Sequence, residues 1–176
     1  MKSIVDFLPP PTCPAEFNLA AYVLAAGHAT PDKTALTVYE AGQPRRYSYA
    51  KLIQAVLGAA TGLRDAGVRA GDRVMISIGN TVDFPVSVLA LASLDAIAMP
   101  ISIALSESET LALLETASPA AIIFDQALPY RGFNGLQINV DQIGCFAAYP
   151  PASPIMGDPN RPCYIIFTSG TSGLPR

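Results

Sequence analysis

From residue 73 onward the sequence alternates short apolar runs with amphipathic stretches: RVMISI, VDFPVSVLALAS, AIAMPI, SESETLALLETAS and AAIIF follow one another with few residues between them. The short runs are rich in Ile, Val and Ala and carry no polar alternation, which is the pattern of strands covered on both faces. The longer stretches repeat their apolar residues at helical spacing. Parallel neighbours need a crossover of a dozen or more residues, usually a helix, and such crossovers are right-handed. This rhythm predicts an α/β fold: a layered, mostly parallel sheet with flanking helices, and neither an all-helical nor an all-β chain.

The earlier half is consistent with that reading. Asn18 is placed to cap LAAYVLAAGHA, a short helix ending near Gly27, and TPDK turns the chain into TALTVYE, which alternates like a strand. AGQPR reads as a hairpin loop to a short strand at Arg46 and Tyr47. Ser48 then caps a helix from Tyr49 to Ala66, with Leu52, Ile53, Val56, Leu57, Ala60 and Leu63 on its apolar face and Gly67 at its end. Further on, strands are expected at Arg73 to Ile78, Ile97 to Ile101 and Ala121 to Phe124, with helices at Val82 to Ser93 and after the Ser106 and Glu109 capping box. After Asp125 prolines, glycines and aromatics take over, with one strand at Leu136 to Val140. YPPASPIMGDPNRP then leads to a final strand at Tyr164 to Phe167. The expected core includes Ile76, Ile78, Ile97, Ile122, Ile123, Ile165, Ile166 and Cys163.

Composition narrows the function. Of 176 residues, 51% are hydrophobic and only 14% charged, which is apolar for a free-standing domain and predicts exposed apolar surface through which copies would associate. The net charge of −3 gives no field for nucleic acid, and Arg45 with Arg46 is the only adjacent basic pair. Asp95 and Pro100 interrupt the run from Phe84 to Leu105, so no membrane span is expected. MKSIVDFLPPP lacks the apolar centre of a secretory signal. Cys13, Cys145, Cys163 and the single His28 have no ligand spacing, which implies reduced thiols in a cytoplasmic protein and no metal site. His28 reads as a helix-end cap residue, and Asn80 and Asp83 as helix-start residues.

The chemistry concentrates in FTSGTSGLPR. Thr168, Ser169, Thr171 and Ser172 supply hydroxyl donors, Gly170 and Gly173 let backbone N–H groups converge, and Arg176 adds a positive charge. Such a loop after a strand forms a cradle for phosphate, beyond the carboxyl end of a parallel sheet. No GxxxxGK[ST] can be drawn through it, so it is not a Walker loop. By composition alone it reads equally well as a flexible Ser/Gly tail.

Tyr164 to Arg176 resembles the phosphate-loop signature of the AMP-forming adenylate enzymes, the superfamily of acyl-CoA synthetases, peptide-synthetase adenylation domains and luciferases, written close to YTSGTTGxPKG. HATPDKTAL, RYSYAKLIQAVLGAATGLRDAGVRAGDRVMISIGNTVDF and AIAMPISIAL resemble, in the same order, the stretch such enzymes carry ahead of that loop. The resemblance covers the chain from about Asn18 onward. FNLAAYVL and NTVDFPVSVLAL look most like aryl- and acyl-CoA ligases of the benzoate-CoA ligase type. Two positions depart from the pattern: Arg176 stands where the family usually has Lys, and Asp95 where it commonly has Gly. Asp tolerates the backbone of a tight turn better than most residues, so Asp95 is expected to be structural.

The resemblance implies the N-terminal part of an ATP-dependent, AMP-forming acyl-CoA synthetase. Such an enzyme uses ATP and Mg²⁺ to join a small carboxylic acid to AMP with release of pyrophosphate, then passes the acyl group to the thiol of coenzyme A. Thr168, Ser169, Gly170, Thr171, Ser172 and Gly173 would hold the β- and γ-phosphates and Arg176 would offset the charge moving onto pyrophosphate. In the family, the acyl pocket, the metal-contacting acids, the ribose-binding Asp and the catalytic Lys all lie later in the sequence. Residues 1–176 are therefore expected to be an incomplete N-terminal unit of an AMP-binding domain, a truncated or proteolytic product ending in a phosphate loop at 168–176, with no catalytic residue and no activity alone. The alternatives are a non-catalytic remnant with a structural or interaction role, and part of an adenylation domain that loads a carrier protein.

Overall fold

Asn18 starts the first helix of the computed structural model, which describes residues 12–40, 42–125 and 133–167. Its side chain accepts the Ala21 amide at 3.1 Å and so satisfies one of the free N–H groups at the start of α1 (Leu19–Ala29). His28 lies exposed in the last turn of α1 and does not cap it; the Thr30 hydroxyl donates to the Ala26 carbonyl at 3.1 Å instead. β1 (Thr34–Glu40) and β2 (Gln43–Ser48) form an antiparallel hairpin, with β2 longer than the expected pair of residues.

Ser48 caps α2 (Tyr49–Ala66) through the Lys51 amide. Gly67 ends it at φ +120°, a conformation that side chains rarely adopt, while Val68 N–H returns to Leu63 O at 3.0 Å. The chain then alternates as expected through β3 (Arg73–Ser77), α3 (Asp83–Ser93), β4 (Ile97–Pro100), α4 (Glu107–Ala117) and β5 (Ala121–Phe124). β6 (Leu136–Asn139) follows, and after it α5 (Val140–Phe146). The α5 helix has no counterpart in the expectations, although Asn139 and Gln142 form a capping box that the letters NVDQ already spell. At α3 neither Asn80 nor Asp83 is the cap. Val82 occupies that position without a side-chain bond, and the Thr81 hydroxyl accepts the Asp83 amide at 3.3 Å.

The four-stranded sheet runs in the order β4-β3-β5-β6, and all its pairs are parallel. Alternation along β3 splits the core into two layers. Val74, Ile76 and Ile78 share one layer with Val56 and Leu63 of α2, Leu91 of α3 and Ile143 of α5. Met75, aligned with Met99 and Ile122, packs instead against Leu113, Leu114 and Ala117 of α4. Parallel strands covered on both faces account for the unbroken apolar runs. The interrupted run from Phe84 to Leu105 is α3, a turn at Asp95, and β4. No helix among the described residues is long and apolar enough to cross a membrane.

Part of the expected core is corrected. Ile76, Ile78, Ile122 and Ile123 are buried, but Ile97 and Ile165 are half-buried, Ile166 is 69% exposed and Cys163 is exposed. The segment meets the sheet only along its outer edge, where Ile165 and Phe167 turn toward the core and Ile166 toward solvent, and Cys163 lies ahead of the packed stretch.

Candidate functional site

Parallel sheets of this kind bind ligands beyond the carboxyl ends of their strands, with the crevice opening where the strand order reverses. Here the reversal falls between β3 and β5, because β4 lies on one side of β3 and β5 on the other. A hydrogen bond spans that point. The Gly79 amide after β3 donates to the Asp125 carboxylate after β5 at 2.6 Å, and the second Asp125 oxygen is buried without a hydrogen-bond partner.

The chain returns to the sheet at the far edge of β4. Ala98 N–H donates to Cys163 O at 3.1 Å, and Ile165 N–H donates to Ala98 O at 2.9 Å, forming one parallel bridge between Ala98 and Tyr164. The expected strand at Tyr164 to Phe167 is thus a single bridge. It nonetheless extends the sheet in the parallel sense, with Ile165 and Phe167 packed against the α4-side core. The chain consequently runs toward the carboxyl end of the sheet at residue 167. Thr168, Ser169, Gly170, Thr171, Ser172, Gly173 and Arg176 lie outside the described residues.

The start of the segment ahead of this bridge is tied to the end of α3 and to the residues before α1. Ile155 N–H donates to Ser93 O at 2.7 Å, and Phe17 and Gly157 exchange amide bonds at 2.9 and 3.1 Å. Asn18 is 5% exposed, and its side-chain amide donates to Ala92 O at 2.8 Å and to Ile155 O at 2.9 Å. One residue therefore caps α1 and ties the end of α3 to this segment. Asp158 accepts from the backbone and side-chain amides of Asn160, both at 2.9 Å, and these bonds hold its carboxyl below the usual carboxylate range. Asp95 has φ +58°, the left-handed backbone expected where an Asp replaces a turn glycine, and its carboxylate pairs with Arg161.

Among the described residues no three His, Cys, Asp or Glu side chains are grouped to hold a metal ion, and Cys13, Cys145 and Cys163 are free and exposed. The features that sequence reasoning did not find are the Gly79 and Asp125 bond, the donor role of Asn18 and the Asp95 and Arg161 pair. All three join residues far apart in the chain, and only Asn18 and Asp95 carried a local signal.

A family model described as AMP-binding enzyme matches residues 24–176. Enterobactin synthase component F of Escherichia coli (strain K12) is 29% identical over 165 residues, which cover 92% of this chain and 12% of that protein. The chain thus spans about an eighth of that relative's length. Among solved structures, the NpsA N-terminal subdomain of Klebsiella oxytoca in complex with 3-hydroxybenzoyl-AMSN matches with TM-score 0.79 at 21% identity, covering 90% of this chain and 39% of that one. NpsA fused artificially to ThdA as an Adenylation-PCP di-domain NRPS matches at 0.77 and 20% identity, covering 86% and 28%. Acetoacetyl-CoA synthetase of Streptomyces lividans matches at 0.76 and 22% identity, covering 91% and 29%. The likeness to these structures is one of fold: a parallel four-stranded sheet flanked by helices, as in the N-terminal subdomain of adenylate-forming enzymes. The chain belongs to the AMP-binding enzyme family.

Proposed function

We propose that this chain is the N-terminal part of an adenylation domain that activates a small carboxylic acid with ATP and loads it onto the thiol of a carrier protein. The family match over residues 24–176 carries the adenylate-forming half of this reading. In that reaction a carboxylate oxygen bonds to the α-phosphorus of ATP, the α–β anhydride breaks, and pyrophosphate leaves with the electron pair. The carrier thiolate then attacks the acyl carbon and displaces AMP. Thr168, Ser169, Gly170, Thr171, Ser172 and Gly173 would hold the β- and γ-phosphates, and Arg176 would offset the charge that builds on pyrophosphate. Arg is a planar fork where a Lys would be a point charge, so Arg176 would offer phosphate two N–H groups at once. The delivery of residue 167 at the carboxyl end of the sheet supports this role for the loop. Mg²⁺ would arrive on the nucleotide phosphates.

The acceptor separates two readings. The similarity to enterobactin synthase component F and to NpsA, whose fused form is described as an Adenylation-PCP di-domain, favours a carrier protein over coenzyme A and over a benzoate-CoA ligase. Acetoacetyl-CoA synthetase keeps coenzyme A as the second reading. Acid-dependent ATP–pyrophosphate exchange by the intact gene product, measured over aliphatic, aromatic and amino acids, tests the activation step. Transfer to a phosphopantetheinylated carrier and to coenzyme A is then compared. Exchange with no acid at all overturns the proposal, and thioester formation on coenzyme A alone replaces the first reading with the second.

A further inference from the structure

Asp95 has two unusual properties at once: it holds a left-handed backbone at φ +58°, and its side chain, 17% exposed, faces Arg161. Glycine would satisfy the backbone without cost, so the conformation alone does not explain a carboxylate here. Its backbone also joins two turns, since Gly71 N–H donates to Asp95 O at 2.8 Å. Arg161 lies two residues before Cys163, where the segment first bonds to β4. The pair therefore joins the turn that begins β4 to the segment that runs beside it.

We propose that Asp95 and Arg161 are positioning residues that pin the register of the Cys163 to Phe167 segment on β4, and so set where the following loop meets phosphate. The consequence for phosphate rests on the phosphate-loop reading above; the register does not. A strand side chain alternates between faces, so a slip of one residue exchanges the core-facing Ile165 and Phe167 with the exposed Ile166. It would also displace the chain by about 3.3 Å, more than a hydrogen bond to a phosphate oxygen tolerates. The Phe17 and Gly157 bridge and the Asn18 bond to Ile155 hold the segment upstream. Neither reaches the stretch from Asp158 to Pro162, where Arg161 is the side chain tied to the sheet side.

The test uses the ¹⁵N-labelled 176-residue chain. Asp95→Gly keeps the turn and removes the carboxylate, Arg161→Gln removes the charge, Arg161→Lys keeps it, and the double variant closes a cycle. Hydrogen exchange of the Ile165 and Ala98 amides is read against that of Val74 and Ile76 in β3. Asp95→Gly and Arg161→Gln should each speed the first two amides about fivefold without changing the β3 amides, as a partly exposed pair can support. The double variant should match the singles, and Arg161→Lys should restore protection. Rates within about twofold of the parent, or additive effects in the double variant, overturn the pin. Inorganic triphosphate is titrated in parallel and followed by the Gly170 and Gly173 amides. Weaker binding in the two charge-removing variants supports the positioning role, and altered exchange with unaltered triphosphate affinity overturns it. If the parent's glycine amides ignore triphosphate, the phosphate-loop reading falls while the exchange data still judge the pin.

Discussion

The Gly79 amide donates to the Asp125 carboxylate at 2.6 Å, joining the ends of β3 and β5 at the point where the strand order reverses. A Cβ at residue 79 would stand 3.2 Å from that carboxylate oxygen, so the contact depends on the small residue as well as on the acid. A carboxylate of the protein itself thus bridges the two strand ends at that point.

Removing that acid should loosen this end of the sheet. Asp125→Ala leaves a partly buried amide unpaired, and a hydrogen bond to a charged group contributes about 1.5–3 kcal/mol. Asp125→Asn keeps an accepting oxygen and should cost less than half as much. Urea unfolding followed by circular dichroism measures both, and equal losses would show that the charge, not the hydrogen bond, matters.

Gly58 and Gly62 let α5 approach α2 closely. A Cβ at residue 58 would stand 2.7 Å from the Ala147 carbonyl oxygen, and one at residue 62 would overlap the Phe146 ring. Overpacking of this kind costs about 1–3 kcal/mol. Gly62→Ala should therefore lower stability even though alanine is the better helix former, and a stabilised variant would show that α5 can move away freely.

The capping box of α4 predicts a pH dependence. Glu109 accepts from the Ser106 hydroxyl at 2.6 Å and from its amide at 2.8 Å, and these bonds, the hydroxyl first, hold its carboxyl below the ordinary value. A depressed pKa in the folded state contributes stability that is complete above the unfolded value and is lost as pH falls through the folded one. The stability difference between the parent and Glu109→Gln should thus be constant near neutral pH and shrink below the usual carboxylate range. A difference that is flat across acid pH would show that the box adds no charge-assisted bonding.

Local signals make the framework legible: glycine at the end of α2, the Ser106 box, and the left-handed Asp95 can all be read from adjacent letters. Side-chain direction at the edge cannot. Ile166 sits in an apolar run and so reads as core, yet a two-residue period turns it outward between Ile165 and Phe167, while Cys163 lies ahead of the stretch that packs on the core. The α5 helix escapes the reading because its few residues continue directly from β6, whose apolar run takes in Val140, although its own box is spelled out. The candidate site is legible only as a composition, since its placement depends on bonds such as Asn18 to Ile155, 137 positions apart.

Asn18 gives the last prediction, because its two ends do separable work. Its oxygen caps α1 through Ala21, and its nitrogen donates to Ala92 and Ile155. Asn18→Asp preserves the shape and the cap while replacing a donor by a charge that faces carbonyl oxygens. Unpaired buried groups cost about 1–3 kcal/mol each, and a buried charge costs more. The loss at neutral pH should therefore exceed that of Asn18→Ala, the reverse of what helix capping alone predicts. The introduced carboxyl has its folded pKa raised, since burial and carbonyl neighbours favour its neutral form. A group raised in the folded state contributes stability below its unfolded pKa that disappears as pH rises through the folded one, so the variant should recover part of its loss on acidification. Chemical unfolding of the parent and both variants at neutral and mildly acidic pH provides the measurement. If Asn18→Asp is the more stable of the two at neutral pH, the cap rather than the long-range donor governs this residue, and Asn18 does not hold the segment that leads to the loop.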